Sequence, residues 1–265
     1  MTAERILGIV GGIGPESTLD YYRRLVDGWH DRVGIGSHPR VIIDSIDGGP
    51  LIGPMVSGDL APMRLAVAAA IERLAAAGAG LGLMASVATH TVYREIEPAA
   101  PIPMLSIVEA TCREAVRIGA RRLAVFGTRV AVDGAYFAEP FREVGIDLIR
   151  PSESDRQWIH DAYLGELVQG VFLEATRDRL VAILASLRRD EGVDGLILAG
   201  TELSVILPKP TYEGLPVLNA AAIHVHGAVD WLAGDRSDAL TVSPGRRSGE
   251  RRRPNPAKRP SHPTI

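Results

Sequence analysis

Short runs of apolar residues alternate with longer segments of helical periodicity along most of the chain. Apolar runs at 6–10, 40–46, 79–83, 122–126 and 193–198 have the length and the Val, Ile and Leu content of buried strands. Between these runs, apolar residues recur at the three- and four-residue spacing of amphipathic helices. This alternation of strand and helix predicts an α/β protein built on parallel sheets.

Two pairs of segments repeat at nearly the same spacing, which indicates an internal duplication. The loops at 84–90 and 198–203 each follow an apolar run and precede a helical segment, and Ser86 and Gly200 lie 114 positions apart. The segment 5–12 resembles the segment 122–128, so that Gly12 and Thr128 lie 116 positions apart. Because internal repeats indicate repeated structural units, we predict two pseudo-symmetric α/β halves whose strand-end loops enclose one cleft.

The predicted boundaries follow from the repeat and from a change of composition near the C-terminus. We assign residues 1–103 and 214–235 to the first half and residues 104–213 to the second. Residues 236–265 contain eight Lys or Arg and two acidic residues, a net charge of +6 that leaves −9 on the rest of the chain. This basic tail is poor in large apolar residues, so we expect it to be disordered. A polyanion-binding arm is the alternative interpretation.

Composition narrows the class of protein further. The 265 residues are 46% hydrophobic and 23% charged, as in ordinary globular proteins, and the acidic body argues against a nucleic-acid partner. Glu72 and Arg73 interrupt the longest apolar stretch, and the N-terminal residues lack a signal-peptide pattern, so we expect no membrane association and a cytoplasmic protein. The single cysteine, Cys112, excludes an intrachain disulfide and is expected to be a buried helix residue.

Several strand ends carry residues suited to binding an anion. Gly12 lies in a Gly-Gly-Ile-Gly-Pro turn before a helix, whose free N–H groups could receive a carboxylate, although these glycines could equally only shape the turn. Asp47 follows the second strand, where open α/β sheets bind ligands, or it forms a turn. Thr128 follows the first strand of the second half, and His160 lies in a nearby helix.

His224 and His226 are too close in sequence to act as a helical metal-ligand pair, and we expect neither a metal nor a cofactor.

The two repeated loops carry the candidate catalytic groups. Ser86, Thr89 and His90 lie on the first loop, and Thr201 and Glu202 follow Gly200 on the second. His90 or Glu202 could act as a base, and backbone amides at Gly12 and Gly200 could stabilise developing negative charge.

An ordered set of motifs between about residues 5 and 232 resembles the cofactor-independent aspartate/glutamate racemases. The motifs are the glycine turn at 11–15, the loop ending in His90, and the segments 103–111, 127–129, 155–160 and 200–203. The resemblance implies a two-domain pseudo-symmetric α/β fold, a homodimer and a small carboxylate-containing substrate between the halves. Members of this family use two cysteines on opposite sides of the α-carbon, one to remove a proton and one to return it.

This chain departs from the family pattern at both cysteine positions. The first falls on Ser86 and the second on Gly200, while Val87 and Ala88 replace the Asn-Thr that usually helps to bind the substrate carboxylate. A serine hydroxyl is a poor base unless another group activates it, and glycine has no side chain. We therefore expect no two-thiol mechanism and a ligand more apolar than aspartate.

The prediction is an isomerase-type enzyme that acts at the carbon α to a carboxylate of a small amino or carboxylic acid. The assigned residues are Ser86, His90 and Glu202 as catalytic groups, and Gly12, Asp47, Thr89, Thr128, His160, Gly200 and Thr201 as substrate-binding groups. The alternatives are a lyase, decarboxylase or cyclase of the same fold, and a non-catalytic ligand-binding protein. A hydrolase with Ser86 as nucleophile and His90 as base fits their spacing but lacks a G-x-S-x-G elbow.

Overall fold

The computed structural model describes residues 5–235, which form two parallel β-sheets covered by helices. The first half consists of four strands in the order β2-β1-β3-β4. Its elements are β1 (Leu7–Gly11), α1 (Pro15–Val33), β2 (Val41–Ser45), α2 (Gly49–Val56), α3 (Ala61–Ala76), β3 (Leu81–Met84), a 3₁₀ turn (Ala88–Val92), α4 (Tyr93–Ile96), a second 3₁₀ turn (Glu97–Ala99) and β4 (Met104–Leu105).

The second half is built on five strands in the order β6-β5-β7-β9-β8, of which β8 alone runs antiparallel to its neighbour in the sheet. Its elements are α5 (Ile107–Arg117), β5 (Arg122–Gly127), α6 (Arg129–Asp133), α7 (Ala135–Glu143), β6 (Asp147–Ile149), α8 (Glu153–Gly165), a 3₁₀ turn (Leu167–Gln169), α9 (Glu174–Glu191), β7 (Gly195–Ala199), α10 (Leu203–Ile206), β8 (Thr211–Tyr212) and β9 (Leu215–Asn219), and the last helix is α11 (Ala220–Ala233).

The two sheets have matching strand orders, as an internal duplication requires. The order β2-β1-β3-β4 in the first sheet corresponds to β6-β5-β7-β9 in the second. Val10 pairs with Met84 at the end of β3, and Gly127 pairs with Ala199 at the end of β7. Ser86 and Gly200 therefore follow equivalent strands, and the predicted fold class is confirmed.

The chain crosses between the sheets at positions that differ from the predicted boundaries. Met104 and Leu105 pair in the first sheet, and Leu215–Asn219 pairs with β7 in the second. Only α11 returns to the first half, where Val225 and Leu232 pack in the same apolar cluster as the residues of β1 and β3. The Asn219 side chain accepts a hydrogen bond from the Ala222 amide and caps α11 at the crossing.

Burial explains why the central strands contain hardly any polar residues. Every residue of β1, β3 and β7 is buried, because helices cover both faces of each sheet. Among the helices of this region, none is long and apolar enough to cross a membrane. The predicted basic tail, 236–265, lies outside the described residues.

Candidate active site

Loops at the carboxyl ends of strands in both sheets contact the opposite half. Ser17, near the start of α1, lies with its hydroxyl 2.7 Å from that of Thr201. Val87 packs against the apolar cluster formed around β5, and its carbonyl accepts a hydrogen bond of 3.3 Å from the Tyr136 hydroxyl. Both repeated loops therefore lie at the interface between the halves.

A hydrogen-bonded network is centred on the carboxylate of Glu202. Thr201 donates its hydroxyl proton to Glu202 Oε2 over 2.7 Å, so Ser17 is the donor in its own bond to Thr201. The Tyr163 hydroxyl, from α8, donates to the same carboxylate oxygen. The Thr201 carbonyl is held in turn by the Ser204 hydroxyl at 2.7 Å. Glu202 is half-buried and is held directly by Tyr163 of α8 and by Thr201 of its own loop.

Tyr163 occupies the space that a side chain at position 200 would need. A Cβ atom added to Gly200 would lie 2.6 Å from the hydroxyl oxygen and 2.6 Å from a ring carbon of Tyr163. Glycine permits this close approach. Burial, followed by the charge of Glu202, raises the pKa of the Tyr163 phenol well above its usual range. The sequence prediction did not include Tyr163. The only sequence signal for it was Gly200, a glycine at the position where the family resemblance places a cysteine.

The first repeated loop is held by its own polar side chains. The Ser86 carbonyl accepts hydrogen bonds from the Thr89 hydroxyl at 2.8 Å and from His90 Nδ1 at 2.9 Å. The Ile107 amide donates to His90 Nε2 at 3.1 Å, which requires the neutral ring with its proton on Nδ1. Thr89 and His90 therefore fix the backbone of Ser86, and neither contacts its hydroxyl.

This geometry does not support the predicted role of His90 as a base. Both ring nitrogens are bonded to backbone groups, and burial lowers the pKa of His90 to about 4. Protonation of His90 at Nε2 would place an N–H group against the Ile107 N–H, so that two donors would face each other. The same contacts argue against the hydrolase interpretation, because His90 bonds to the Ser86 carbonyl and not to its hydroxyl. Within residues 5–235, the half-buried Ser86 hydroxyl has no hydrogen-bond partner.

Two candidate binding residues have local structural roles. Gly12 has a φ of +88°, and its amide donates to the Thr18 hydroxyl at 3.0 Å, so this N–H is not available to an anion. The exposed Asp47 accepts a hydrogen bond of 3.1 Å from the Gly49 amide and forms the turn into α2. Both observations agree with the turn-forming interpretations of these residues.

The other candidates lie at the carboxyl end of β5. Thr128 occupies the N-cap position of α6, and His160 Nδ1 accepts a hydrogen bond of 3.4 Å from the neighbouring Arg129 amide. The structure thus brings Thr128 and His160 together. Cys112 lies apart in the buried face of α5, where burial raises the pKa of its thiol to about 11. An unactivated thiol of this kind is not a nucleophile.

A cleft of about 420 Å³ opens beside the Glu202 network, between α1 and the turn after α8. Thr201, Glu202 and Val205 form one wall, and Leu19 and Phe172 contribute apolar surface. Its volume suits a small metabolite. In the described part of the chain, no three His, Cys, Asp or Glu residues are grouped so as to hold a metal ion.

Comparison with known proteins identifies the family. Residues 10–228 match the Asp/Glu/Hydantoin racemase family. The chain belongs to this family. Over 222 residues it is 22% identical to the Broad specificity amino-acid racemase RacX of Bacillus subtilis (strain 168), covering 82% of this chain and 93% of that protein. The resemblance stated from the sequence motifs is thereby confirmed, and the racemase relatives support the isomerase class.

Solved structures agree with this assignment. A Yersinia pestis structure assigned to the Asp/Glu racemases is 27% identical with a TM-score of 0.80, covering 86% of this chain and 99% of that one. An aspartate racemase homologue from Pyrococcus horikoshii OT3 is 25% identical with a TM-score of 0.74, covering 87% and 99%.

Proposed function

We propose that this chain is an isomerase-type enzyme that works without thiols at the carbon α to a carboxylate of a small amino or carboxylic acid. The observation that carries the proposal is the Glu202 carboxylate, positioned by Thr201 and Tyr163 on a loop that meets the other half through Ser17. Family membership supplies the reaction class. The carboxylate supplies a proton-accepting group where the family resemblance places the second cysteine loop.

The two loops would supply different groups to the two faces of the substrate. Inversion at an α-carbon requires removal of a proton on one face and delivery of a proton on the other, and positioned acids and bases accelerate such transfers by about 10²–10⁴-fold. Glu202 is the base in this proposal, and the unpartnered Ser86 hydroxyl carries the proton on the opposite face. Thr89 and His90 act by holding the backbone of Ser86, while Thr128 and His160 are the proposed contacts of the substrate carboxylate.

The substrate is expected to be less polar than aspartate. Val87 and Ala88 offer no hydrogen-bonding side chain beside Ser86. The relative in Bacillus subtilis is described as having broad amino-acid specificity, which favours a panel of substrates over a single candidate. The homodimer implied by the resemblance remains a prediction that analytical ultracentrifugation tests, and the cytoplasmic location also remains a prediction.

The test is exchange of the α-hydrogen in deuterated water. The protein is incubated with single L- and D-enantiomers of acidic and apolar amino acids and of small 2-substituted acids. Proton NMR follows the loss of the α-signal, and chiral chromatography follows inversion. We expect exchange with at least one apolar member, and a loss of about 100-fold or more in the Glu202→Gln variant. Glu72→Gln, which alters an exposed carboxylate on α3, is the matched control. Absence of exchange across the panel contradicts the proposal.

One observation favours a lyase or decarboxylase as the second candidate. The two faces are chemically unequal, with a carboxylate on one loop and an unactivated hydroxyl on the other. A reaction that breaks a carbon–carbon bond and then protonates a single face needs only one proton-transfer group. Release of carbon dioxide from a geminal dicarboxylic acid, without exchange of any monocarboxylic acid, distinguishes this candidate.

A further inference from the structure

Helix α1 belongs to the first half, but its side chains hold the loop that follows β7 in the second half. The Ser17 hydroxyl donates to that of Thr201 at 2.7 Å, and the Arg24 guanidinium donates to the Ser204 hydroxyl at 2.9 Å. Ser17 and Arg24 are seven residues apart, about two helical turns, so both side chains lie on one face of α1. The two contacts fall on either side of Glu202 in the sequence.

The hydrogen bonds from Arg24 run in one direction through Ser204. A guanidinium can only donate, so the Ser204 oxygen accepts from Arg24 and its own proton is available to another acceptor. That proton goes to the Thr201 carbonyl at 2.7 Å. Thr201 in turn donates its hydroxyl proton to Glu202 Oε2. The residue that orients the carboxylate is therefore held from the first half through both its carbonyl and its hydroxyl.

Arg24 is itself fixed in position by the first half. Its Nε atom donates to Asp20 Oδ2 at 2.6 Å, one turn earlier in α1, while a terminal nitrogen of the same guanidinium reaches Ser204. The adjoining face of α1 packs into the first half through the buried Tyr21 and Leu25, in the apolar cluster that contains residues of β1 and β3. Arg24 therefore links Ser204 to the core of the first half.

We infer that Arg24 is a positioning residue, which keeps the Glu202 loop of the second half in register with the Ser86 loop of the first. This inference rests on the proposed function, in which the two proton-transfer groups lie on different halves. Both groups reach one α-carbon only if the halves keep a fixed placement, and a displacement of about 1 Å can slow an enzyme by about 10²-fold. Arg24 acts through Ser204 and Thr201, without contact with the substrate.

Two competing interpretations give different results on substitution. If Arg24 only adds stability, as partly exposed ion pairs do weakly, its loss should leave the rate per folded molecule unchanged. If Arg24 binds the substrate carboxylate, its loss should raise KM. A positioning residue instead lowers kcat and leaves KM nearly unchanged.

The experiment compares Arg24→Gln with the wild type and with Arg32→Gln, a matched control. Arg32 lies on the same helix and pairs with Asp235, just after α11, at 2.5 Å. Exchange of the α-hydrogen of the best substrate is expressed per folded molecule, with the folded fraction taken from urea unfolding. We expect Arg24→Gln to lose about 10–100-fold in kcat with KM changed by less than about threefold, and Arg32→Gln to retain both. Arg24→Lys, which keeps a charged donor, should be faster than Arg24→Gln.

The route through Ser204 is tested by Ser204→Ala. This variant should lose kcat as Arg24→Gln does, and the double variant should be no slower than the slower single variant, because both changes break the same chain of bonds. Amide hydrogen exchange, followed by mass spectrometry over residues 200–207, gives a readout that needs no substrate. It should be faster in Arg24→Gln and unchanged in Arg32→Gln.

The outcomes separate this inference from the proposed function. Arg24→Gln with a kcat within about threefold of an active wild type overturns the role of Arg24 and leaves the proposed function standing. A change confined to KM, or losses that multiply in the double variant, also overturn that role. A wild type that exchanges no substrate removes the proposed function. Unchanged amide exchange at 200–207 in Arg24→Gln overturns the role of Arg24 whether or not the wild type is active.

Discussion

The contact between Gly200 and Tyr163 gives a direct test of the geometry through the Gly200→Ala variant. The added methyl group would meet two Tyr163 atoms at 2.6 Å, whereas ordinary contacts between carbon atoms lie near 3.5–4.0 Å. Gly200 does not have the positive φ that disfavours alanine, so the cost of the substitution is steric. Tyr163 cannot easily move away, because it is buried and bonded to Glu202.

The expected cost is that of overpacking a buried site. Such substitutions destabilise proteins by about 1–3 kcal/mol. For a chain of this size each kcal/mol lowers Tm by about 2–4 °C, so we expect Gly200→Ala to melt roughly 2–12 °C below the wild type. Because the methyl group displaces the phenol from Glu202, the same variant should also lose α-hydrogen exchange.

Differential scanning calorimetry and urea unfolding measure this effect. Gly165→Ala is the control, since Gly165 ends the same helix α8 with no atom near its Cβ position. Combining Gly200→Ala with Tyr163→Ala removes the obstruction, so the double variant should be more stable than the sum of the two single losses by about 1–3 kcal/mol. A Gly200→Ala variant with unchanged Tm and full activity would refute the placement of Tyr163.

Two further predictions concern pH and the contact between the halves. Burial lowers the pKa of His90 to about 4 and that of His224 to about 3, both below the ordinary value of 6.5. The two neutral rings therefore contribute fully to the free energy of unfolding above pH 6.5, and this contribution is lost as pH falls. Between pH 6.5 and 5 the free energy of unfolding should fall by about 2 kcal/mol per histidine, and a flat urea-unfolding profile across that range would be inconsistent with neutral buried rings. Ser17→Ala removes a donor to Thr201 and should cost about 1 kcal/mol and slow α-hydrogen exchange. Ser186→Ala, whose hydroxyl bonds within its own helix, should leave exchange unchanged, and equal exchange rates in the two variants would contradict a role for the Ser17 bond.

The periodicity and the internal repeat were sufficient to predict the two halves, because each buried strand is an almost unbroken apolar run. The crossings between the sheets were not predictable in the same way. Leu215–Asn219 joins the second sheet because it pairs with β7, and α11 joins the first because its apolar face packs on β1 and β3. Both placements depend on contacts between residues far apart in the sequence, which no local pattern predicts.

The sequence was sufficient to predict which loops carry the candidate site. It was not sufficient to predict the role of each residue on them. His90 follows Ser86 by four residues, a spacing that suggested a catalytic pair. The amide that occupies its second nitrogen comes from Ile107, 17 residues away, and is visible only after folding. Tyr163 was missed for the same reason: a tyrosine in a helix has the pattern of a core residue, and its meeting with Gly200 is tertiary.

We propose that proton transfer at the α-carbon takes place in this protein without sulfur. Cys112 is the only cysteine in the 265 residues, so the Cys112→Ala variant contains no thiol at all. The decisive measurement is α-hydrogen exchange by this variant in deuterated water, followed by NMR on the best substrate. We expect exchange at the wild-type rate, whereas a folded Cys112→Ala variant that has lost exchange would contradict proton transfer without sulfur.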